Sequence, residues 1–138
     1  VSRVIKLESA GKDRTRLSKS LVLALRALMR QQQADDLTRD LAAYIVLALE
    51  EIGATIEPSV AAWEKRGYWV KADRFRIEWE WTLSLAQKMR QALLAEDWAG
   101  VAQTSAAVAT RLVKVTIPER NRLGEPWHGA FRQLRSTG

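Results

Sequence analysis

The sequence predicts an all-α fold: an antiparallel four-helix bundle with an irregular N-terminal segment and a C-terminal tail that packs back on the bundle. Three observations carry this expectation. Apolar residues recur at alternating steps of four and three in successive segments, the spacing that keeps one face of a helix apolar. Between Gly67 and Gly100 there is no glycine, proline or asparagine to turn a hairpin, and the flanks are rich in Ala, Leu, Gln, Lys and Arg. The chain has 138 residues, 47% hydrophobic and 28% charged, enough for one domain with a buried core.

Residues 1–12 read as irregular, with Val4, Ile5 and Leu7 available to pack on the bundle. Asp13 or Thr15 caps the first helix, residues 14–32, whose core stripe is Leu17, Leu21, Val22, Leu25, Leu28 and Met29. Another side of this helix is basic: Lys12, Arg16, Lys19, Arg26 and Arg30 recur at four, three, seven and four residues, with Leu23 interrupting the row. Such a row is either a solvated helix face or a contact for nucleic acid or an acidic protein. With Arg14 added, these cations are the candidate anion contacts.

The stretch Gly11-Lys12-Asp13-Arg14-Thr15, ahead of the expected helix, resembles the phosphate-binding loop of cysteine-dependent tyrosine and inositol phosphatases. The resemblance covers fewer than ten residues. Glu8 stands where that family holds its thiolate nucleophile, and Arg16 where it usually has glycine, so the activity does not carry over. What stays as an expectation is an anion resting on this helix start beside Lys12 and Arg14.

Gln31-Gln32-Gln33-Ala34 links to the second helix, residues 36–53, capped by Asp35 or Asp36 and stopped by Gly53. Its core residues are Leu37, Leu41, Tyr44, Ile45, Ala48, Leu49 and Ile52. From Leu41 to Leu49 it is apolar nearly all round, which calls for cover on more than one side.

The third helix, residues 58–96, opens at Pro58, where a missing amide costs nothing, and carries four of the six tryptophans. Tyr68, Ala72, Phe75, Trp79, Thr82, Ala86, Met89 and Leu93 form one stripe. Phe75 to Leu85 also alternates strictly, the period of a half-buried strand, so strand is the competing reading there. As a helix, it carries a second apolar face of Trp63, Val70, Ile77, Trp81, Leu85 and Ala92. That face needs covering by the tail or by a second copy, and a bend is expected near Gly67. Asp97 caps the fourth helix, residues 98–116, with the stripe Val101, Ser105, Val108, Leu112 and Val115. The tail, residues 117–138, is broken by Gly124, Pro126 and Gly129. It ends in a short helix carrying Phe131 and Leu134, and Trp127 and Phe131 anchor it.

Charge is unevenly spread. Residues 1–30 carry eight cations and two anions, residues 31–60 one and six, residues 61–99 seven and six, and residues 100–138 six and two. This is either complementarity between neighbouring helices or a basic surface for an anionic partner. The absence of cysteine rules out disulfides and thiol chemistry and suits a cytoplasmic protein. The longest apolar run, Leu41 to Leu49, is too short for a bilayer, so no membrane partner is expected. Glu125 and His128 have the Glu-x-x-His spacing of bundle metal sites, but His128 is the only histidine and Pro126 lies inside the motif, so neither metal nor cofactor is expected. No catalytic constellation or nucleotide fingerprint is visible.

The remaining functional feature interleaves aromatics with cations from Trp63 to Arg76. Arg66, Trp69, Asp73 and Arg76 share a polar strip, which makes Trp69 an exposed indole among charges. The sequence therefore points to a non-enzymatic assembly or adaptor protein, a homodimer that presents this surface to another protein. The alternative is nucleic-acid binding by the basic first helix together with the basic C-terminus.

Overall fold

The structure is a computed structural model and describes residues 7–137. Among them the chain is all-helical, with no strand: α1 (Leu7–Met29), α2 (Asp36–Gly53), α3 (Ile56–Lys65), α4 (Trp69–Trp79), α5 (Trp81–Leu94), α6 (Trp98–Arg111) and α7 (Ala130–Thr137). Phe75 to Leu85 lies in α4 and α5, so the strand reading fails. The expectation placed on Val4 and Ile5 lies outside the described residues.

α2 spans the expected residues. The Asp35 carboxylate accepts the Thr38 amide at 3.0 Å, and the Thr38 hydroxyl donates to the Gln33 carbonyl at 2.6 Å, which closes the start of the helix. Leu41, Ala42, Ala43, Ile45, Val46, Leu49 and Ile52 are fully buried because α1, α5 and α7 all pack on this helix. Gly53, at its end, lies against α5 so closely that a Cβ there would collide with Leu83. The Arg90 guanidinium clasps the same pair of helices, donating to both Glu50 oxygens at 3.0 and 2.8 Å.

α1 is already helical at Leu7, the first described residue and seven residues before the expected start. Ala10 and Arg14 continue the buried stripe of Leu17 and Leu21 at steps of four, three and four, and Glu8 pairs with Lys12 at 3.7 Å one turn on. Gly11 to Thr15 is therefore helix, past the first four amides that a helix leaves free. It is not a loop, and the expected anion site at a helix start does not form there. The helix also stops earlier than expected, at Met29.

The largest departure concerns residues 58–96, which form three helices instead of one. At the end of α3 the Gly67 amide donates to the Glu64 carbonyl at 2.9 Å and the Tyr68 amide to the Trp63 carbonyl at 2.9 Å, with Gly67 at φ +81°. This is a Schellman stop, in which a left-handed residue satisfies the last carbonyls, and glycine adopts it without a Cβ clash. α4 then folds back on α3. A second interruption follows at Glu80: the Thr82 hydroxyl donates to the Trp79 carbonyl at 2.7 Å, and the Leu83 amide shifts to the Glu80 carbonyl at 3.2 Å. A side-chain donor has taken the place of a backbone one.

α5 ends in another Schellman stop, with Glu96 at φ +54° in the position glycine usually holds. Asp97 caps α6 through the Gly100 amide at 3.0 Å, as expected, but α6 ends at Arg111 and not at residue 116. The tail does pack on the molecule, with Trp127 and Leu134 buried. It packs on α2 and leaves Val70 and Ile77 of the 58–96 region uncovered. Asp40 of α2 fastens it by accepting the Gly129 and Phe131 amides, both at 3.0 Å. The second cover that α2 requires thus comes from its own chain.

Candidate functional site

α3 and α4 form an arm with a core of its own: Ile56, Val60, Ala72 and Phe75, edged by half-buried Trp63 and Trp79. Trp63 meets Phe75 edge to face, with centroids 5.2 Å apart, and the Lys71 ammonium lies 4.5 Å above the Trp63 ring. Arg14 joins this arm to α1. Its guanidinium is buried, donates to the Thr55 hydroxyl at 3.1 Å and the Ser59 hydroxyl at 3.5 Å, and stacks 4.6 Å from the Phe75 centroid and 5.8 Å from that of Trp79. Burial lowers its pKa from the ordinary arginine value, against an opposing pull from the Glu78 carboxylate. Arg14 was expected on the anion-binding face; it points into the protein instead. Its place in the buried stripe, four residues after Ala10 and three before Leu17, was the signal that could have found it.

The expected strip of Arg66, Trp69, Asp73 and Arg76 is divided. Trp69 is 62% exposed, and Asp73 and Arg66 are exposed as well. Arg76 is half-buried and committed within the arm, donating from Nε and Nη2 to Glu57 at 3.2 Å each, a bond that raises its pKa. Beside Trp69 stand residues not expected at an open surface. Tyr68, assigned to the core stripe, is 55% exposed, and Val70 and Ile77 are 66% and 69% exposed. α4 buries only Ala72 and Phe75.

The second apolar face expected of a continuous helix does not exist as one surface, because the helix is broken. Trp63 packs in the arm core, Val70 and Ile77 are uncovered, and Trp81 and Leu85 lie half-buried against the main core.

A second feature lies at the other side of α1. Lys12, Thr15, Arg16 and Lys19 face Arg120 and Arg122 across an open cleft of about 780 Å³, with Glu8 at its edge. Asn121 shapes the facing segment, donating to the Pro118 carbonyl and accepting the Leu123 amide, both at 3.1 Å. Lys12 and Arg16 each have an exposed carboxylate 3.7 Å away, pairs too solvated to neutralise the cleft. Among the described residues, Lys19, Arg120 and Arg122 have no ion-pair partner. Arg26 and Arg30 are exposed further along α1 and do not line the cleft, so the six expected cations divide into three in the cleft, two beyond it and one buried.

Glu125 and His128 bond to each other at 3.0 Å, and no group of three or more His, Cys, Asp or Glu side chains gathers among the described residues. No described helix is long and apolar enough to cross a membrane. Compared with known proteins, the chain matches no family model, no curated protein and no solved structure.

Proposed function

We propose that the protein is a non-enzymatic assembly module that self-associates through α4 and presents the Trp69 surface to further partners. One observation carries the reading. α4 leaves Val70 and Ile77 exposed one heptad apart, with Tyr68 and Trp69 at its start, so its outer face is more apolar than a solvated helix needs. Charge favours a second copy as the occupant. Lys71 lies near one end of α4, Glu78 near the other, and Asp73 and Arg74 sit between them. An antiparallel pairing of two α4 helices sets Val70 of one copy against Ile77 of the other and brings Lys71 towards Glu78, with both signs at the two-fold axis.

In this reading α1, α2, α5 and α6 make an antiparallel four-helix bundle, and the arm is an insertion between its second and third helices. The packing of α1 on α2, α2 on α5 and α5 on α6 supports it. A chain without cysteine suits a cytoplasmic setting.

The test is light scattering coupled to size exclusion at low and high salt. The expected result is a salt-resistant dimer that Val70→Asp combined with Ile77→Asp converts to a monomer of unchanged helicity, since substitutions at open surface positions shift stability by only about 0.5 kcal/mol. A wild-type monomer at every concentration and salt level would sink the proposal.

The basic cleft favours a second reading, nucleic-acid binding by α1 together with the 118–123 segment. Its signature is affinity that falls steeply with salt, with a log–log slope that flattens by about 0.7–0.9 for each phosphate contact removed. Lys19→Ala, Arg120→Ala and Arg122→Ala in combination should flatten it. No retardation of mixed-sequence RNA or DNA at low salt eliminates this reading.

A further inference from the structure

The composition of the cleft between α1 and the 118–123 segment narrows what it can hold. On one wall Lys12, Arg16 and Lys19 recur at four and three residues along α1, about 10 Å from first to last at 1.5 Å per residue. Arg120 and Arg122 stand on the other wall. Among the described residues Glu8 is the one carboxylate in the lining, and Asp13 stands just outside it beside Arg16. With both carboxylates set against the five cations, the cleft keeps an excess of three positive charges. Glu119, next to Arg120, is exposed and does not line the cleft. Charges of one sign on two walls raise the local concentration of anions more than the same charges on a flat surface.

The neutral polar side chains of the lining are engaged within the chain. The Thr15 hydroxyl donates to the Gly11 carbonyl at 3.0 Å, and Asn121 bonds through both ends of its amide to the backbone of its own segment. No aromatic side chain lines the cleft among the described residues, so a base has no ring to stack on. What the cleft offers a ligand is positive charge from two walls. A neutral molecule gains little from that. One phosphate group, with a charge of about −1.5 to −2 at pH 7, leaves part of the excess unmet, whereas two or more on one molecule meet it. Nor does the row of cations run on as a track for a long strand: Leu23 interrupts it, and Arg26 and Arg30 lie beyond the cleft.

From the two cationic walls, the missing stacking partner and the end of the row at Leu23, we infer that this cleft binds a compact molecule carrying two or more phosphate groups, held between α1 and the 118–123 segment. Lys19, Arg120 and Arg122, without an ion-pair partner among the described residues, make the principal contacts. Lys12 and Arg16 exchange their solvated carboxylates for phosphate oxygens. The inference shares its surface with the nucleic-acid reading and differs in the occupant: it requires phosphates close together and neither bases nor a polymer. A condensed phosphate chain and a phosphorylated ring have this chemistry in common.

The test is isothermal titration calorimetry of the full chain at matched ionic strength with inorganic tripolyphosphate, inositol hexakisphosphate and inorganic phosphate, beside gel retardation of a mixed-sequence RNA pool at low salt. The expected result is one polyphosphate bound per chain, about tenfold or more tighter than inorganic phosphate, with the tighter of chain and ring naming the source. Lys19→Gln, Arg120→Gln and Arg122→Gln in combination should weaken it by about tenfold or more at unchanged helicity. Arg26→Gln with Arg30→Gln takes charge from the same helix outside the cleft, beyond a screening length of about 8 Å, and should change affinity by less than about twofold. Equal loss in the two variants would reduce the binding to net charge and overturn the inference, as would polyphosphates that bind no tighter than phosphate. RNA retarded without polyphosphate binding overturns this inference and leaves the nucleic-acid reading standing; polyphosphate bound without RNA does the reverse.

Discussion

The body of the molecule and its arm are built from the same kinds of side chain but are held in different ways. In the body, α2 is enclosed by α1, α5 and α7, and its apolar residues from Leu41 to Ile52 are buried within one continuous core, Tyr44 and Leu47 in part. In the arm, four buried residues and two tryptophan edges do the corresponding work, and a single buried guanidinium supplies much of the attachment to α1. A helix surrounded on several sides gains from every contact. An arm with a small core is a unit that can open by itself, and such low-stability units are where binding surfaces tend to be found.

Substitutions can break or sharpen this contrast. The largest effect belongs to the body: Leu49→Ala, at a fully buried site, should cost about 2–5 kcal/mol and lower the midpoint of the whole denaturant transition. Phe75→Ala comes next. It removes the centre of the arm core and one face of the Arg14 stack, at a cost of roughly 3 kcal/mol. Amide exchange should show the loss confined to α3 and α4, and equal loss of protection in α2 would mean that the arm is no separate unit.

Arg14→Leu keeps apolar bulk but leaves the fully buried Ser59 hydroxyl without the donor it has here, so about 1–3 kcal/mol should be lost, again read by exchange across α3. If Arg14→Leu matches the wild type, the guanidinium is not what fastens the arm.

The smallest effect is a pH dependence in the body. Asp35 has its pKa lowered by the Thr38 amide and then the Thr38 hydroxyl. A lowered carboxyl contributes stability that is fully present above its unfolded value and is lost as pH falls through its folded value. Acid titration followed by circular dichroism should therefore show a loss in the acid range, below the ordinary carboxylate value, that is absent in Asp35→Asn. An identical profile in the two proteins would remove Asp35 as its source.

How much of this was legible in the sequence depends on how local each cause is. α2 could be read to its ends because the Asp35 cap, the apolar stripe and Gly53 all act within a few residues of one another. The arm could not. Gly67 was visible as a point of weakness, but nothing local distinguishes a bend from a full reversal; that is settled by whether Phe75 gains more against Trp63 and Val60 than along a straight helix. Thr82 was counted in the buried stripe and is indeed buried, yet its hydroxyl also takes the Trp79 carbonyl and interrupts the helix it was expected to continue.

The candidate surfaces divide in the same way. Exposure of Trp69 followed from the helix wheel, whereas exposure of Tyr68, Val70 and Ile77 followed only from the folding back of α4. The basic character of α1 and of the C-terminal part was plain from composition, but their meeting at Arg120 and Arg122 was not.

By itself, the sequence determined that the chain is helical, that α6 is capped by Asp97 and α2 by Asp35 or Asp36, and most members of each stripe, since periodicity and capping are short-range effects. Met29, Leu37 and Tyr68, assigned to stripes, are exposed. Only the tertiary structure decided that α7 covers α2, that Arg14 turns inward to hold the arm, and that α4 folds back on α3. Each of those outcomes is a competition among segments far apart in the chain for the same apolar surface, and no local pattern states the winner.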